Sequence, residues 1–552
     1  MKLRDWMQSG APQIWFTAGS VTISLIMVFG VLWLTAFRGL GHFWPSDLYE
    51  TTYRDKGQTI RVIGEIAEEE AVSAKRLSDA GFALPSDIAI ATRYLFKLGN
   101  RDALGFDFRW FPEPLLGEFT QPAALLAVER REWGNFYGYL KAVKENGKIV
   151  AEGEAARGEL DRRVARTLDL HAEIHRIEKG EVGDVNYGIE RLRLKQRQLE
   201  LDGALTLERR AQLDAKHVEL NKTFAALQER LKRIYTEINR DSFNAEIMNG
   251  RVVDVPLAKV VRVYRPNAMN VAEKLGFYFV KLWEFVADEP REANTEGGIF
   301  PAIFGTVLMV LVMSVLVTPL GIIAAVYMRE YAKQGPLIRT IRISVNNLAG
   351  VPSIVYGVFG LGFFVYILGG SIDQLFFPEA LPAPTFGTPG ILWSSLTLAL
   401  RTLPVVIVAT EEGLARIPST IRHGSLALGA TKAETLWRTV LPMASPAMMT
   451  GLILAIARAA GEVAPLMLVG VVKLAPSLPL DDNFPFLHLD RKFMHLGFHI
   501  YDVGFQSPNV EAARPLVYAT SLLLVVIIMV LNLTAITLRN RLRNKYHMLE
   551  SI

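Results

Sequence analysis

Six long apolar segments constrain the fold of this chain more than any other feature of its sequence. They occupy residues 14–37, 301–327, 345–368, 390–409, 446–472 and 515–538. A helix needs roughly 20 apolar residues to cross a hydrocarbon core about 30 Å thick, and each segment meets that length. We therefore predict an all-α polytopic membrane protein with six transmembrane helices. The first is read as a retained anchor, because it is longer than a usual signal-peptide core and no clear A-x-A cleavage site follows it.

The basic residues predict the orientation of these helices. Short loops rich in Lys and Arg stay in the cytoplasm. Three stretches carry such clusters: Arg329, Lys333, Arg339 and Arg342; Arg416, Arg422, Lys432 and Arg438; Arg539, Arg541, Arg543 and Lys545. The loop at 369–389 contains neither Lys nor Arg. One topology satisfies all four observations: both termini are cytoplasmic, and the long segment at 38–300 lies outside.

Composition excludes several classes of site. The formal net charge of +4 is small for 552 residues, and the basic residues mostly flank apolar segments, which indicates topology rather than nucleic-acid binding. The chain contains no cysteine. It therefore has no disulfide, no thiolate nucleophile and no Cys-ligated metal site.

The charged segment between the first two spans is interpreted as a large insert. After an N-terminal tail and first helix at 1–40, residues 41–150 mix short apolar alternations with Gly, Pro and aromatic residues, which favours an α/β or β-rich module. Residues 151–245 have the composition of long helices and are predicted to form an antiparallel helical hairpin projecting from the membrane. Residues 246–300 would return to a five-helix core at 301–540, followed by a tail at 541–552.

The hairpin prediction depends on a heptad-like seam. Its members are Leu213, Leu220, Phe224, Leu227, Leu231, Ile234 and Ile238, spaced by steps of three, four or seven, as in a coiled coil. Gly180, Gly183 and Gly188 are the predicted turn before the returning helix. His217 lies in the same register and is interpreted as a packed residue, not a metal ligand. A platform for a partner subunit and a plain spacer both remain open as roles.

The third apolar segment contains the first family motif. It reads NNLAGVPSIVYGVFGLGFF at 346–364, and its Asn, Gly, Pro and Ser are tolerated only where neighbouring helices or a cavity satisfy the backbone. The string AGVPSIVYG resembles the hallmark of phosphate ABC permeases of the PstA type. GGIFPAIFGT at 297–306 is similar to the entry of that family into its membrane core.

The loop at 411–442 carries the second motif. Pro418 begins a helical stretch, Gly429 breaks it, and a second amphipathic stretch continues to Pro442, which predicts a helix-turn-helix. It resembles the EAA loop of ABC importer permeases, which implies docking to an ATPase. The positions involved are His423, Gly424, Ser425, Gly429, Ala430, Leu441 and Pro442. His423 and Gly424 stand where the family usually has Glu and Ala, and Thr439 where Ile is usual, so the detailed contacts differ.

Three charged residues lie inside apolar segments, where they are costly unless compensated. Arg458 and Glu462 occur in LAIARAAGEVAPLMLVG at 454–470 and, four residues apart, would share a helix face. A structural ion pair is one interpretation. The other, which the family resemblance favours, is that Arg458 lines a phosphate route with Glu462 restraining it, because a guanidinium suits an oxyanion. Arg401, Asn346 and Ser353 complete the predicted pathway.

The resemblance covers residues 290–540 and implies the MetI-like permease fold in a bacterial inner membrane, with the insert in the periplasm. It implies a non-catalytic subunit that works with a PstB-type ATPase dimer, a PstC-type permease and a periplasmic phosphate-binding protein, and that carries inorganic phosphate through the lipid bilayer. The chain has no G-x-x-x-x-G-K-[ST] loop. ATP is therefore expected on the partner subunit, and no cofactor on this chain.

Four alternative functions are less consistent with the sequence. A permease for another oxyanion, such as sulfate or molybdate, fits the charges but not the AGVPSIVYG string. A membrane sensor signalling through the hairpin would need an output domain, and the cytoplasmic segments are short. A secondary transporter would not need the EAA-like loop. An enzyme in the insert lacks a nucleophile and base grouping.

Overall fold

The architecture is taken from a computed structural model, which describes residues 11–55, 57–82, 89–507 and 510–550. Residues 1–10, which belong to the N-terminal tail predicted before the first helix, and the last two residues of the chain lie outside the described residues. Within them the α-helices are α1 Ala11–Gly41, α2 Ala74–Asp79, α3 Arg101–Leu104, α4 Ala155–His175, α5 Val182–Leu201, α6 Leu207–Ile238, α7 Val271–Ala287, α8 Phe300–Val326, α9 Pro336–Leu348, α10 Ser353–Phe359, α11 Gly370–Phe376, α12 Ile391–Arg416, α13 Ser419–Ala427, α14 Lys432–Thr435, α15 Leu441–Ala460, α16 Leu466–Val469, α17 Leu496–Tyr501 and α18 Val510–Glu550.

In the described part of the chain six helical segments are long and apolar enough to cross a membrane, which agrees with the predicted number. They are span 1 Gln13–Gly41, span 2 Phe300–Tyr331, span 3 Ser353–Phe376, span 4 Ile391–Arg416, span 5 Lys432–Ala460 and span 6 Ala513–Arg541. Wider π-helical turns lengthen or join the helices in several of them, for example at Tyr327–Tyr331, Gly360–Gly369 and Leu436–Val440. The chain is thus a polytopic helical membrane protein.

The predicted bounds of two spans are wrong. Span 3 begins at Ser353 and not at residue 345, because residues 345–348 belong to the amphipathic helix α9, and a non-helical stretch before Ser353 contains Pro352. Span 5 ends at Ala460 and not at residue 472, because Gly461 caps the helix and α16 starts only at Leu466. Hydropathy alone continues through both breaks, since the residues on either side are apolar.

Spans 2, 4 and 5 form the centre of the membrane part. Their shared core includes Met313, Leu398, Val406 and Ile453, all buried. Small residues allow close approach: a Cβ on Gly451 would lie 2.7 Å from the Cβ of Ala409. Tight contact through small side chains is a usual way for helices to associate in lipid. Span 1 lies apart from this core and packs against span 6, where Gly39 approaches Ala519.

Within its described residues the insert contains two larger antiparallel sheets and one two-stranded sheet. Its strands are β1 Tyr49–Asp55, β2 Gln58–Ser73, β3 Ile90–Lys97, β4 Phe108–Pro112, β5 Leu126–Arg130, β6 Phe136–Glu145, β7 Lys148–Glu152, β8 Asp241–Glu246, β9 Val252–Pro256, β10 Val260–Tyr264, and the short pair β11 Pro290–Arg291 and β12 Glu296–Gly297. The first sheet has the order β1-β2-β3-β4, and the second has the order β10-β5-β6-β8-β9, with β7 also paired to β6. The insert is therefore a β-rich module, although its predicted boundary is wrong: β8, β9 and β10 come from beyond the hairpin and complete the second sheet.

The hairpin leaves the second sheet after β7 and returns to it at β8. Helix α4, the π-helical turn Arg176–Glu181 and α5 follow one another as helical segments of 21, 6 and 20 residues, about 70 Å at 1.5 Å per residue. The reversal lies at 202–206, where Gly203 has a φ of 65°, so the turn predicted at Gly180 to Gly188 is wrong. Gly188 instead permits close helix contact, because a Cβ there would lie 3.2 Å from Leu220.

The seam residues of α6 face α4 and α5. Leu213, Leu227, Ile234 and Ile238 are buried, and the other three seam members are partly buried against them. His217 is exposed, and its ring lies 3.0 Å from the side-chain amide of Asn221.

Contacts with two membrane loops show where the hairpin lies. The Tyr187 hydroxyl donates a hydrogen bond to the carbonyl of Phe484, in the loop between spans 5 and 6, and the Asn483 amide lies 3.3 Å from Asp184. Helix α5 also contacts the turn Pro378–Ala380 between spans 3 and 4. The hairpin, predicted to project from the membrane, therefore passes across the loops of the membrane core on the side of the insert and contacts them.

Candidate functional site

A break in span 5 shapes the polar centre of the membrane part. Helix α15 ends at Ala460, and residues 461–465 lack helical structure before α16 begins. Glu462 therefore stands beyond the helix that carries Arg458. The prediction that these two residues share one helix face is wrong, because the helix does not continue across them.

Glu462 pairs instead with Arg401 in the middle of span 4. The two side chains are 17% and 11% exposed and form a close ion pair. A buried arginine at such a depth is costly without a partner, and removing either member would leave an uncompensated charge. The pair therefore fixes the broken segment of span 5 against span 4.

Arg458 is the one of these three charged residues that has no partner in the ion pair. Among the described residues no acidic side chain lies within 4 Å of it, although it is close enough to Arg401 and Tyr356 to interact electrostatically with both. The Nε of Arg401 is also buried without a hydrogen-bond partner in the described part of the chain. The guanidinium groups of Arg401 and Arg458 thus lie near each other, and Arg401 has a buried donor without a partner among the described residues, an arrangement suited to an oxyanion.

A cavity of about 450 Å³ continues along the same faces of spans 4 and 5. Its lining includes Asn346, Pro404, Val408, Glu412 and Leu454. Pro404, Val408 and Glu412 follow Arg401 at helical spacing, and Leu454 lies one turn before Arg458. The cavity therefore begins about one turn from the arginines and runs toward the end of the membrane part opposite the insert.

The structure brings three of the five predicted pathway residues together and places the other two separately. Arg401, Arg458 and Glu462 cluster at the break in span 5. Asn346 lines the cavity from α9, outside any span. Ser353 is the half-buried first residue of span 3 and forms no side-chain hydrogen bond with the other four within the described part of the chain.

Two residues at this site were missed from the sequence. Tyr356 lies within the AGVPSIVYG string, and its hydroxyl donates a 2.6 Å hydrogen bond to the carbonyl of Leu348, across the break before span 3. Glu412 lines the cavity, whereas its neighbour Glu411 pairs with Arg342 of α9. The paired glutamates at the end of an apolar span were the available signal for Glu412.

The helix-turn-helix predicted at 411–442 is present at the end of the core opposite the insert. Helix α13 is followed by Gly429 with a φ of 88°, and a second helical stretch starts at Lys432. This second stretch continues through Leu441 and Pro442 into span 5 without a break. His423, Gly424 and Gly429 are exposed, Ser425 and Ala430 are half-buried, and Leu428 at the turn is 91% exposed.

Glu330 holds this loop against span 2. Arg422 donates a 2.8 Å hydrogen bond to its carboxylate, and Lys432 donates to its backbone carbonyl. Within the loop, the hydroxyls of Ser425 and Thr435 lie 2.9 Å apart. The loop is therefore fixed to the ends of two spans while its turn remains open for contact.

Comparisons with known proteins identify the relatives of this chain. A family model described as "Binding-protein-dependent transport system inner membrane component" matches residues 317–547. Similar proteins include the phosphate transport system permease protein PstA of Mycobacterium leprae (36% identical over 206 residues), PstA 1 of Mycobacterium tuberculosis strain CDC 1551 / Oshkosh (40% over 175) and PstA of Yersinia pestis (31% over 251). These alignments cover 37%, 32% and 46% of this chain and 62%, 52% and 75% of the relatives. The chain thus spans between about half and three quarters of their length.

Proposed function

Because the chain belongs to the family of binding-protein-dependent transport system inner membrane components, we propose that it is the PstA-type permease subunit of an ATP-driven importer of inorganic phosphate. The observation that carries the proposal is the cluster at the break in span 5. Arg458, which has no acidic partner within 4 Å in the described part of the chain, stands beside the buried pair of Arg401 and Glu462.

The cluster would bind substrate through positive charge and hydrogen-bond donors that the anionic substrate pairs with. Phosphate entering beside Arg458 would receive charge-assisted hydrogen bonds, and the free Nε of Arg401 supplies another donor. Glu462 would keep the two arginines from binding the anion too tightly, because it already neutralises one of them. Asn346 and Glu412 would line the exit on the cytoplasmic side, and we keep Ser353 as a pathway residue of span 3.

The proposal includes the topology and partners that the family implies. Both termini would lie in the cytoplasm, and the insert would lie in the periplasm, where the loops that α5 touches are also expected. A PstB-type ATPase dimer would bind the loop at 411–442 and supply ATP hydrolysis, while this chain holds no cofactor. A PstC-type permease would form the other half of the MetI-like core, and a periplasmic phosphate-binding protein would deliver substrate.

Uptake of labelled phosphate and sulfate tests this function. In cells lacking other phosphate importers, and at matched membrane levels, Arg458→Gln should lower phosphate uptake at least about tenfold, the effect of losing one charge-assisted hydrogen bond. Arg401→Gln should also impair uptake, because Glu462 loses its partner. Lys333→Gln, an exposed change in the loop after span 2, is the control.

Two results would count against the proposal. Undiminished phosphate uptake in a strain without the chain would remove the phosphate assignment, and chain-dependent uptake of sulfate alone would point to another oxyanion. If Arg401→Gln transported phosphate normally while Arg458→Gln abolished transport, Arg401 would be excluded from the pathway.

A further inference from the structure

A second cavity lies where the insert meets the membrane part, away from the arginine cluster. Its volume is about 700 Å³, within the range of small-molecule sites. The walls come from the end of α1, strands β2 and β3, helix α7, residues 291–297 and the first turns of span 6. The cavity is thus bounded by both membrane helices and the insert.

The charges in this cavity are nearly balanced. Among the described residues its lining includes seven acidic and six basic side chains. A simple anion would meet too many carboxylates and a simple cation too many arginines and lysines, because like charges repel at short range. The lining therefore favours a ligand that carries both signs.

Two of the basic side chains, Arg38 and Arg514, stand at the membrane end of the cavity. Arg38 is in the last turn of α1 and Arg514 is in the first turn of span 6, so both stand at the membrane surface. The Arg38 guanidinium lies 5.7 Å from the Tyr518 ring centre, and Arg514 is 3.2 Å from Glu68. Glu65 and Glu296 line the cavity from β2 and β12, farther into the insert.

Glu296 is the acceptor that stays without a partner. Glu129 is 2.7 Å from Lys281, and Glu65 accepts a 2.5 Å hydrogen bond from Tyr137. Glu296 has no ion pair within 4 Å among the residues described. Removal from water raises the pKa of its carboxyl to about 7, although the charges of Lys97 and Arg291 oppose the shift.

Helix α7 places the cavity at the level of lipid head groups. One face contributes Phe277 and Lys281 to the cavity lining. The opposite face is apolar and open: Phe279 is 63% exposed and Trp283 is 71% exposed. An amphipathic helix of this kind, rich in aromatic residues and adjoining a membrane span, lies in the interface of a bilayer.

The geometry points to a binding site for a phospholipid head group that carries both a phosphate ester and a primary ammonium, drawn from the leaflet on the side of the insert. The phosphate ester lies between Arg38 and Arg514, and the ammonium reaches Glu296. The acyl chains follow the exposed surface of span 1. This inference requires only that the chain spans a membrane, so it is independent of the phosphate-import proposal.

Native mass spectrometry of the purified full-length complex in detergent tests the site. Phosphatidylethanolamine, phosphatidylglycerol and phosphatidylcholine are titrated separately, with soluble O-phosphoethanolamine and inorganic phosphate as competitors. Phosphatidylethanolamine should bind about tenfold more tightly than the other two lipids, because only it offers an ammonium with N–H donors. Glu296→Gln should remove this preference and leave phosphatidylglycerol binding unchanged.

Arg38→Gln separates the two ends of the ligand, because it should weaken both phosphatidylethanolamine and phosphatidylglycerol. Arg38 is exposed, so this variant should fold even if Glu296→Gln does not. Glu132→Gln, whose side chain is 63% exposed and outside the cavity, is the matched control. Equal binding of the three lipids, or an unchanged preference in Glu296→Gln, would overturn the site. If O-phosphoethanolamine or inorganic phosphate displaced the lipid at an equal concentration, the natural ligand would be the free compound and not a lipid head group.

Discussion

At the scale of single residues, Gly357 shows how the AGVPSIVYG string serves the polar centre. A Cβ at this position would lie 2.7 Å from the Cα of Pro465 and 3.0 Å from its carbonyl oxygen. Span 3 therefore touches the broken segment of span 5 backbone to backbone, directly after Glu462. Glycine is required here by space, since its backbone is helical.

Gly357→Ala is expected to separate these two segments and misplace Glu462. Forced packing of one extra methyl costs about 1–3 kcal/mol, which should lower the melting temperature in detergent by several degrees and reduce phosphate uptake. Gly362→Ala, in the same span but with nothing within 4 Å of the added Cβ, should change neither. Similar melting temperatures for the two variants would show that the close contact is absent.

Glu296 gives the insert a pH dependence with a defined sign. Its folded-state pKa is raised to about 7 by burial, and the neighbouring carboxylates of Glu292 and Glu129 add to the effect against Lys97 and Arg291. A raised carboxyl pKa contributes stability that is complete below the unfolded pKa of about 4.5 and is lost as pH rises through about 7.

Glu296→Gln should therefore be more stable than the wild type above pH 8, and the advantage should vanish toward pH 5. Melting curves of the delipidated protein between pH 5 and pH 9 measure this difference. Glu132→Gln serves again as the exposed control. A difference that grew toward acid pH would contradict the sign.

At the scale of elements, the loop at 411–442 is fixed at its base and open at its turn. Glu330 ties it to span 2 through Arg422 and Lys432, and its second helix continues into span 5. Movement of the turn would therefore be transmitted to two spans at once. The most exposed apolar side chain at the turn is Leu428, which is 91% exposed.

Leu428→Asp should weaken the association with the proposed ATPase partner without unfolding the chain, because Leu428 is exposed in this chain and a charge there would remove an apolar contact only in the proposed complex. Co-purification of the ATPase with the tagged permease measures the loss, expected to be at least tenfold for a central apolar contact. Leu207→Asp, on the hairpin and 89% exposed, is the control and should keep the ATPase. Equal recovery with both variants would place the ATPase elsewhere.

Local patterns were sufficient to predict the number of spans, the seam of α6 and the helix-turn-helix, but not the bounds of spans 3 and 5. Each depends on hydropathy or spacing within one stretch of chain. The pairing of Arg401 with Glu462 was not predictable in this way, because it requires the helix end at Ala460 and the packing of two spans. The same holds for β8 to β10, whose partners β5 and β6 precede the hairpin in sequence. Gly180 and Gly183 misled because glycine also occurs within helices.

At the scale of the whole molecule, the hairpin joins the insert to the loops of the membrane part. Arg163 in α4 anchors its base, at 2.5 Å from Asp241 of β8 and 2.8 Å from Glu145 of β6. Farther along, Asp184 and Tyr187 meet Asn483 and Phe484. The hairpin is thus held at the second sheet and at the loop between spans 5 and 6.

Cross-linking should verify this arrangement, and the absence of native cysteine makes the experiment unambiguous. A short bis-maleimide should join Asp184→Cys to Asn483→Cys in membranes, since the native side chains are 3.3 Å apart. Arg210→Cys with Asn483→Cys should not react, because Arg210 belongs to the part of the hairpin beyond that contact. The chain is cleaved between the two positions, and gel mobility shows whether the fragments remain joined. Equal cross-linking yields for the two pairs would contradict the contact between the hairpin and this loop.

The length of the hairpin has a mechanical consequence. From the sheet to the contact at Tyr187 it measures about 48 Å, and to its reversal about 70 Å, at 1.5 Å per residue. If it pivots as a stiff lever at the sheet, a displacement of the loop at Phe484 is magnified about one and a half times at the tip. In that case a movement of the loop at Phe484 would displace residues 201–207 by a larger distance than the loop itself moves, and a molecule bound at residues 201–207 would be displaced with them.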